Sequence, residues 1–393
     1  MKSMRVTWPY ILMQGSLWAI FAVISNYASN FLYQYGFSDA QISLFLGINM
    51  ILAFALQIGT AELISRNPKL KTYVVMYAVG GIVLLCLTGM FFGADIPVLA
   101  VFCFGITRIL LQIFPALANS FGMEATEKGA PLIYGLARGS GSLFNGITAV
   151  IIGQLIGKQG IAIMPVFSFG LTLLFVISIF WFFQVTRCFE DANVQPKAVL
   201  TEKKKGFLKQ YPRFLLFLIG GTFLCISQTL LNNFLFQIML YKGGNETHQG
   251  LAGGLAAFVE IPVMFAFPYM LRWASSGKWV RLSSFFFLLK AALTLVVKTP
   301  EAAVLAQAVQ VFSYGLFAIS SVVYAGEIVG CGEAVRAQSY LGTTLTLGML
   351  AALSLGGTLC QYFGVPVMLL TACGFAVAGG ILLYWEAAKA KKQ

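Results

Sequence analysis

Four charged residues lie within long apolar runs of the sequence. They are Arg108, Arg138, Glu260 and Lys290, and all but Arg138 sit near the middle of their run. A charged side chain at membrane depth costs roughly 2.5 to 3.5 kcal/mol on insertion scales, so such residues usually pair with one another or mark solute and proton pathways. A carboxylate can bind and release a proton, and a guanidinium donates several directional hydrogen bonds. These residue types therefore indicate a polar site inside a membrane, with structural ion pairing or snorkelling to the interface as the alternatives.

Side-chain amides form polar stripes along four of the apolar runs. In a helix, residues four or seven apart lie on one face. The stripes are Asn26 and Asn30 in the first run, Arg108, Gln112 and Asn119 in the fourth, Gln228 and Asn232 in the seventh, and Gln307, Gln310 and Tyr314 in the tenth. A single amide pair can simply join two helices by hydrogen bonds. Four stripes at equivalent places of a three-helix repeat favour a shared polar cavity that binds a solute.

The apolar runs that carry these residues make up most of the chain. Hydrophobic residues account for 59% and charged residues for 10% of the 393 residues, and the mean hydropathy is +0.83. A soluble domain carries roughly 25% charged residues, so most of this chain must lie in a lipid bilayer. Because a spanning helix needs about 20 apolar residues, we predict an all-α integral membrane protein with twelve transmembrane helices, near residues 9–34, 38–64, 71–92, 95–123, 130–157, 161–186, 212–240, 246–274, 278–298, 300–330, 334–361 and 364–388.

The basic residues indicate how these helices are oriented. If both termini are cytoplasmic, most of the 26 Lys and Arg residues fall in cytoplasmic segments, and only Lys158, Lys242 and Lys298 fall on the opposite side. This bias is the positive-inside pattern of a multi-pass protein of the cell membrane. The net charge of +12 therefore reflects the cytoplasmic loops and does not indicate nucleic-acid binding.

A polar stretch that contains the run EKKK divides the twelve helices into two groups of six. We predict an N-terminal six-helix bundle over residues 1–186, a cytoplasmic linker over 187–211 and a C-terminal six-helix bundle over 212–393. Two pseudo-symmetric six-helix bundles joined in this way resemble the major facilitator superfamily. The resemblance implies a substrate site near the bilayer midplane, lined by the first, fourth, seventh and tenth helices.

Local motifs resemble one group within that superfamily, the oligosaccharide/nucleoside–proton symporters, which include lactose permease and the phenylpropionate-type permeases. The stretch from Tyr134 to Ser142 reads YGLARGSGS and is similar to the YGxxRxxGS stretch that opens their fifth helix. Glu260 with the following Ile-Pro is similar to their E-[VI]-P stretch, and Lys290 falls where they carry an arginine. The resemblance implies that Arg138 contacts the substrate, that Glu260 is a substrate or coupling carboxylate, and that Lys290 belongs to the same charge network.

Departures from the group limit what the resemblance implies. The tenth helix has Gln310 and Ser313 where lactose permease has a histidine and a glutamate, and the eleventh helix has no lysine. The loop after the second helix keeps the basic Arg66 of the superfamily motif but lacks its acidic residue. The lactose-type proton relay therefore does not carry over, and Glu260 is left as the residue predicted to couple transport to protons.

The sequence predicts a transporter rather than an enzyme. It contains no Walker A loop, no HExxH motif and only one histidine, so neither a cofactor nor a metal is predicted. We predict a monomeric secondary active transporter that moves a small polar organic solute, such as a sugar, an oligosaccharide or a nucleoside, together with protons. Because Arg108, Arg138 and Lys290 outnumber Glu260, an organic anion such as a carboxylate or sugar acid is one alternative. A drug-exporting antiporter and a non-transporting receptor or scaffold of the same fold are the others.

Overall fold

The fold is built from long apolar helices. The computed structural model describes residues 2–67, 70–189, 207–329 and 334–390, and these residues contain helices but no strands. Within these ranges, twelve helices are long and apolar enough to cross a membrane. The prediction of an all-α membrane protein with twelve spans is therefore confirmed.

We number the spans in chain order. They are α1 (Lys2–Ile24 and Ala28–Gln34), α2 (Asp39–Arg66), α3 (Thr72–Phe92), α4 (Pro97–Leu111 and Phe114–Glu127), α5 (Tyr134–Gln159), α6 (Ile163–Thr186), α7 (Pro212–Asn233 and Leu235–Tyr241), α8 (Glu246–Met270), α9 (Ser276–Val296), α10 (Pro300–Ala306, Gln307–Val311 and Tyr314–Val329), α11 (Ala334–Phe363) and α12 (Val365–Ala390). The middle piece of α10 is a 3-10 helix.

The four helices with amide stripes are also the four that are broken. Asn26 lies in the turn between the two pieces of α1, Gln112 lies in the break of α4, and Phe234 alone interrupts α7. The break in α4 is followed directly by Pro115, which lacks the N–H that would continue the hydrogen-bond ladder. Proline does not explain the other breaks, and α8 runs straight through Pro262 and another proline. The sequence pattern predicts the stripes on continuous helices, and the structure reveals the breaks of α1, α7 and α10, which have no proline signal.

The chain divides into two compact units. Unit 1 comprises Met1–Phe37 and Ile48–Lys197, and unit 2 comprises Ser38–Gly47 and Ala198–Gln393. The first turns of α2 thus group with unit 2 although the rest of α2 groups with unit 1. The predicted boundaries at residues 186 and 212 stay a prediction.

In unit 1, α1 packs against α5 and α6. Gly141 of α5 makes this close approach possible, because a Cβ atom there would lie 2.3 Å from the Trp18 side chain. The Asn145 amide donates to the Trp18 carbonyl at 3.0 Å, and the Tyr10 and Phe182 rings lie 5.0 Å apart. The small residues of α5 therefore hold α1 in place, which is the close packing expected of glycine-rich membrane helices.

In unit 2, α7 packs against α11 and α12 around a core of aromatic side chains. Phe217, Phe287 and Phe317 are almost completely buried in it. Phe234, the residue that interrupts α7, is also fully buried and lies against Gly356 of α11. The position of the α7 break is therefore set by tight packing.

We expect Gly356→Ala to destabilise the protein. A Cβ atom at this position would lie 2.1 Å from the Phe234 ring, and overpacking of this kind costs about 1–3 kcal/mol. The matched control is Gly342→Ala in the same helix, where a Cβ atom would meet nothing within 4 Å. Thermal unfolding in detergent should show a lower midpoint for Gly356→Ala alone. Equal midpoints for the two variants would mean that the Phe234 ring moves aside without loss of stability.

Candidate functional site

Lys290 lies at the centre of a polar cluster in unit 2. Its side chain is completely buried in α9. Its ammonium donates to the side-chain oxygens of Gln228 at 3.5 Å, of Asn232 at 3.2 Å and of Gln310. An ammonium has three N–H donors, so this lysine is fully engaged by protein oxygens.

Gln310 connects Lys290 to the carboxylate of Glu260. The Gln310 amide nitrogen donates to Glu260 Oε1 at 2.7 Å, while its oxygen accepts from Lys290 and from the Gln228 amide, the latter at 2.9 Å. Glu260 is half-buried, whereas Gln228, Gln310 and Lys290 are buried. The cluster therefore links a basic side chain to an acidic one through an amide, and the acidic side chain is only half-buried.

The helix breaks help to position this cluster. Gln310 lies in the 3-10 segment of α10, and Asn232 lies in the last turn of α7 before Phe234. A 3-10 segment or a break ends the regular i→i+4 ladder, so side chains at these places take directions that a continuous helix would not allow. Gly315 of α10 brings that helix close to Glu260, since a Cβ atom there would lie 3.2 Å from the Glu260 side chain.

Arg108 of α4 is a buried cation in unit 1. Its side chain is 7% exposed, and Nη1 donates to the carbonyl of Ile24 at 3.3 Å. Ile24 ends the first piece of α1, and a cation is favourable at such a C-terminal helix end. Among the described residues, no carboxylate forms a salt bridge with Arg108, and its Nε has no hydrogen-bond partner.

The other predicted residues of unit 1 lie in different environments. Asn119 accepts a hydrogen bond from Gln14 at 3.1 Å and so links α4 to α1. Asn26 and Gln112 are half-buried at their helix breaks. Asn30 is 6% exposed, and within the described part of the chain neither atom of its amide has a partner.

Arg138 lies in the first turns of α5, and its side chain is outside the described residues. Its contact with substrate stays a prediction.

The sequence reasoning missed a second buried acid in unit 2. Glu386 of α12 is completely buried and pairs with Arg213 at the start of α7, with an N–O distance of 2.9 Å. The Tyr324 hydroxyl donates to its other oxygen at 2.6 Å. Glu386 is the only acidic residue after Gly364, which is a signal that could have identified it. Its place near the end of the twelfth apolar run, however, is also compatible with a position at the membrane interface. Because both of its oxygens are engaged by protein groups, Glu386 has a structural role here.

The architecture and the buried polar clusters define a class of protein. Twelve spanning helices, four of them broken beside polar residues, are typical of secondary transporters, which build their sites from discontinuous helices. The chain belongs to the MFS_1 like family, whose model matches residues 10–373. The recognition of a major facilitator transporter is therefore confirmed.

Solved structures share this fold at low sequence identity. The nucleoside transporter NupG is 16% identical with a TM-score of 0.75, and the match covers 98% of each chain. A bacterial homologue of the iron transporter ferroportin, in an inward-facing state, is 14% identical with a TM-score of 0.71, again over 98% of each chain. A POT family peptide transporter is 12% identical with a TM-score of 0.70, over 99% of this chain and 97% of that one. At these identities the likeness establishes the fold alone. No curated protein matches the sequence.

Proposed function

We propose that this protein is a proton-coupled symporter that moves a small polar organic solute, of the sugar, oligosaccharide or nucleoside class, by alternating access. The observation that carries the proposal is the Glu260–Gln310–Lys290 cluster of unit 2, in which Gln310 joins the cation to the acid. The likeness to a nucleoside transporter supports the inclusion of nucleosides.

The chemistry of the cluster favours a solute that carries hydroxyl groups. Lys290 already donates to three protein oxygens and has no donor left for a solute. Glu260 is half-buried, and a carboxylate accepts hydrogen bonds from hydroxyl groups. Arg138 is assigned a substrate contact by the family resemblance alone.

The same cluster offers a physical basis for coupling to protons. When Glu260 is ionised, its charge offsets that of Lys290 through the Gln310 amide. When Glu260 takes up a proton, the buried ammonium loses its counter-charge, and an uncompensated charge in a low-dielectric interior is costly. Proton binding therefore changes the relative stability of conformations that bury the cluster to different extents, which is what a coupled transporter requires.

The setting of this activity is also part of the proposal. The charge bias of the loops supports a cell-membrane location with both termini in the cytoplasm. We assign the activity to a monomer.

A second candidate substrate class is favoured by a specific observation in unit 1. Arg108 is buried and has no salt-bridge partner among the described residues. An organic anion would supply the missing negative charge.

Transport by purified protein in proteoliposomes tests the proposed function. With an inward proton gradient, we expect labelled uridine, lactose or glucuronate to accumulate above its external concentration, because proton entry drives the solute against its gradient. A protonophore should abolish the accumulation while leaving the vesicles sealed. If none of these solutes moves under either a proton or a sodium gradient, the proposed function is wrong; export of a drug against the same gradient would favour an antiporter.

A further inference from the structure

The junction of α1 and α4 in unit 1 holds polar groups that the Glu260 cluster does not use. The second piece of α1 packs on the first piece of α4 through Phe31 and Phe104, whose ring centroids are 4.4 Å apart. Asn30 adjoins Phe31 in the sequence, and Arg108 follows Phe104 by one helical turn, with its guanidinium 5.9 Å from the Phe104 ring. Asn30 and Arg108 therefore flank the same pair of contacting rings, one on each helix.

Both side chains are buried with unused hydrogen-bonding capacity. Asn30 is 6% and Arg108 is 7% exposed. Within the described ranges, the nitrogen and oxygen of the Asn30 amide and the Nε of Arg108 have no hydrogen-bond partner. Each such group costs about 1–3 kcal/mol when it is left unsatisfied. Helix packing alone does not require three unsatisfied polar groups beside one pair of rings, since apolar side chains would fill the same space.

The chemistry of these groups selects a carboxylate as their partner. A guanidinium matches a carboxylate in a planar, two-point hydrogen-bonding geometry, and an asparagine amide can donate a further hydrogen bond to the same anion. The present bond from Arg108 to the Ile24 carbonyl is 3.3 Å long and made to a neutral acceptor. A carboxylate makes a shorter and stronger bond, so it can draw the guanidinium away from the carbonyl.

We propose that the α1–α4 junction binds the carboxylate of the transported solute, which makes that solute a polyhydroxylated carboxylate of the sugar-acid type. This inference rests on the proposed function and selects its second substrate class, the organic anions. In unit 2 the charges of Lys290 and Glu260 offset each other, whereas the buried Arg108 of unit 1 has no counter-ion among the described residues.

Ligand-induced thermal stabilisation of the purified protein tests this site, because a ligand that binds the folded state raises its unfolding temperature. The probes are two matched pairs, D-glucuronate against D-glucose and acetate against acetamide. We expect each carboxylate to raise the unfolding midpoint more than its neutral partner. Arg108→Gln should abolish that difference. Arg66→Gln removes an equal charge from an exposed position, where the side chain is 75% exposed, and should keep the difference.

A second variant keeps the test decisive if Arg108→Gln does not fold. Asn30→Asp places a carboxylate at the junction, where it should pair with Arg108, raise the midpoint of the ligand-free protein and abolish the shift caused by acetate. Equal shifts for carboxylate and neutral probes in the wild type would overturn the proposal. A lower midpoint for ligand-free Asn30→Asp together with a retained acetate shift would overturn it as well.

The outcomes separate this site from the proposed function. Proton-driven uptake of a neutral solute that is unchanged in Arg108→Gln leaves the symporter standing and removes the carboxylate site. Carboxylate-specific stabilisation without any gradient-driven uptake would keep the carboxylate site and reject the symporter.

Discussion

Glu260→Gln is expected to abolish accumulation of solute driven by a proton gradient, while solute exchange across the membrane continues. Glutamine has the shape of glutamate and can still accept the hydrogen bond that Gln310 donates at 2.7 Å. It cannot bind and release a proton, so movement of the solute is no longer tied to the proton gradient. Accumulation should fall to the equilibrium level, at which internal and external concentrations are equal.

The measurement compares net uptake with exchange in the same proteoliposomes. Vesicles preloaded with unlabelled solute should still take up label through Glu260→Gln, which shows that the variant is folded and binds its solute. Glu301→Gln is the matched control, since Glu301 lies at the start of α10 with a side chain that is 70% exposed. Accumulation by Glu260→Gln at the wild-type level would remove Glu260 from the coupling mechanism.

Glu386→Ala is expected to lower the free energy of unfolding by about 3–5 kcal/mol, the usual cost of breaking a buried ion pair by removal of one partner. The Glu386 side chain is 1% exposed, and its oxygens engage both Arg213 and the Tyr324 hydroxyl. Its removal leaves a guanidinium at a half-buried place without its counter-charge and a tyrosine hydroxyl without its acceptor. The contact joins α7, α10 and α12, so its loss loosens one end of unit 2.

An exposed ion pair of the same type provides the control. Glu62 and Arg66 lie one turn apart on α2 with side chains 55% and 75% exposed, and such pairs contribute only about 0.2–1 kcal/mol. Denaturation in detergent should therefore show a large effect for Glu386→Ala and a small one for Glu62→Ala. The double variant Glu386→Leu with Arg213→Met should recover part of the loss, because it removes both charges together. Equal effects at the two sites would mean that water reaches Glu386 as freely as it reaches Glu62.

The breaks of α1, α4, α7 and α10 mark the limit of what could be predicted about the fold. The sequence pattern predicts their positions as spans because hydropathy depends only on composition along the chain. It does not predict that α7 stops at Phe234, since that break depends on packing against Gly356, a residue more than a hundred positions away. Only the break of α4 has a local signal, which is Pro115.

The candidate site likewise has features that the sequence predicts and features that only the structure shows. Glu260 and Lys290 stand out in the sequence because a charge in an apolar run is expensive wherever it lies. Their link through Gln310 does not stand out, because an amide in a helix is as compatible with simple helix packing as with a charge relay. The sequence likewise indicates a coupling role for Lys290 in one charge network with Glu260, but it does not indicate the three protein oxygens to which Lys290 donates.

The sequence by itself determined the number of spanning helices, the charge bias that indicates their orientation, and the presence of costly charges inside them. These properties follow from local composition, because a helical segment crosses a bilayer only if it is long and apolar enough. The tertiary structure alone decided which of those charges are paired. Lys290 meets Gln228 across 62 positions of sequence, and Glu386 meets Arg213 across 173. Whether a buried charge is neutralised or left for a ligand depends on such distant partners, and their meeting is a property of the folded chain.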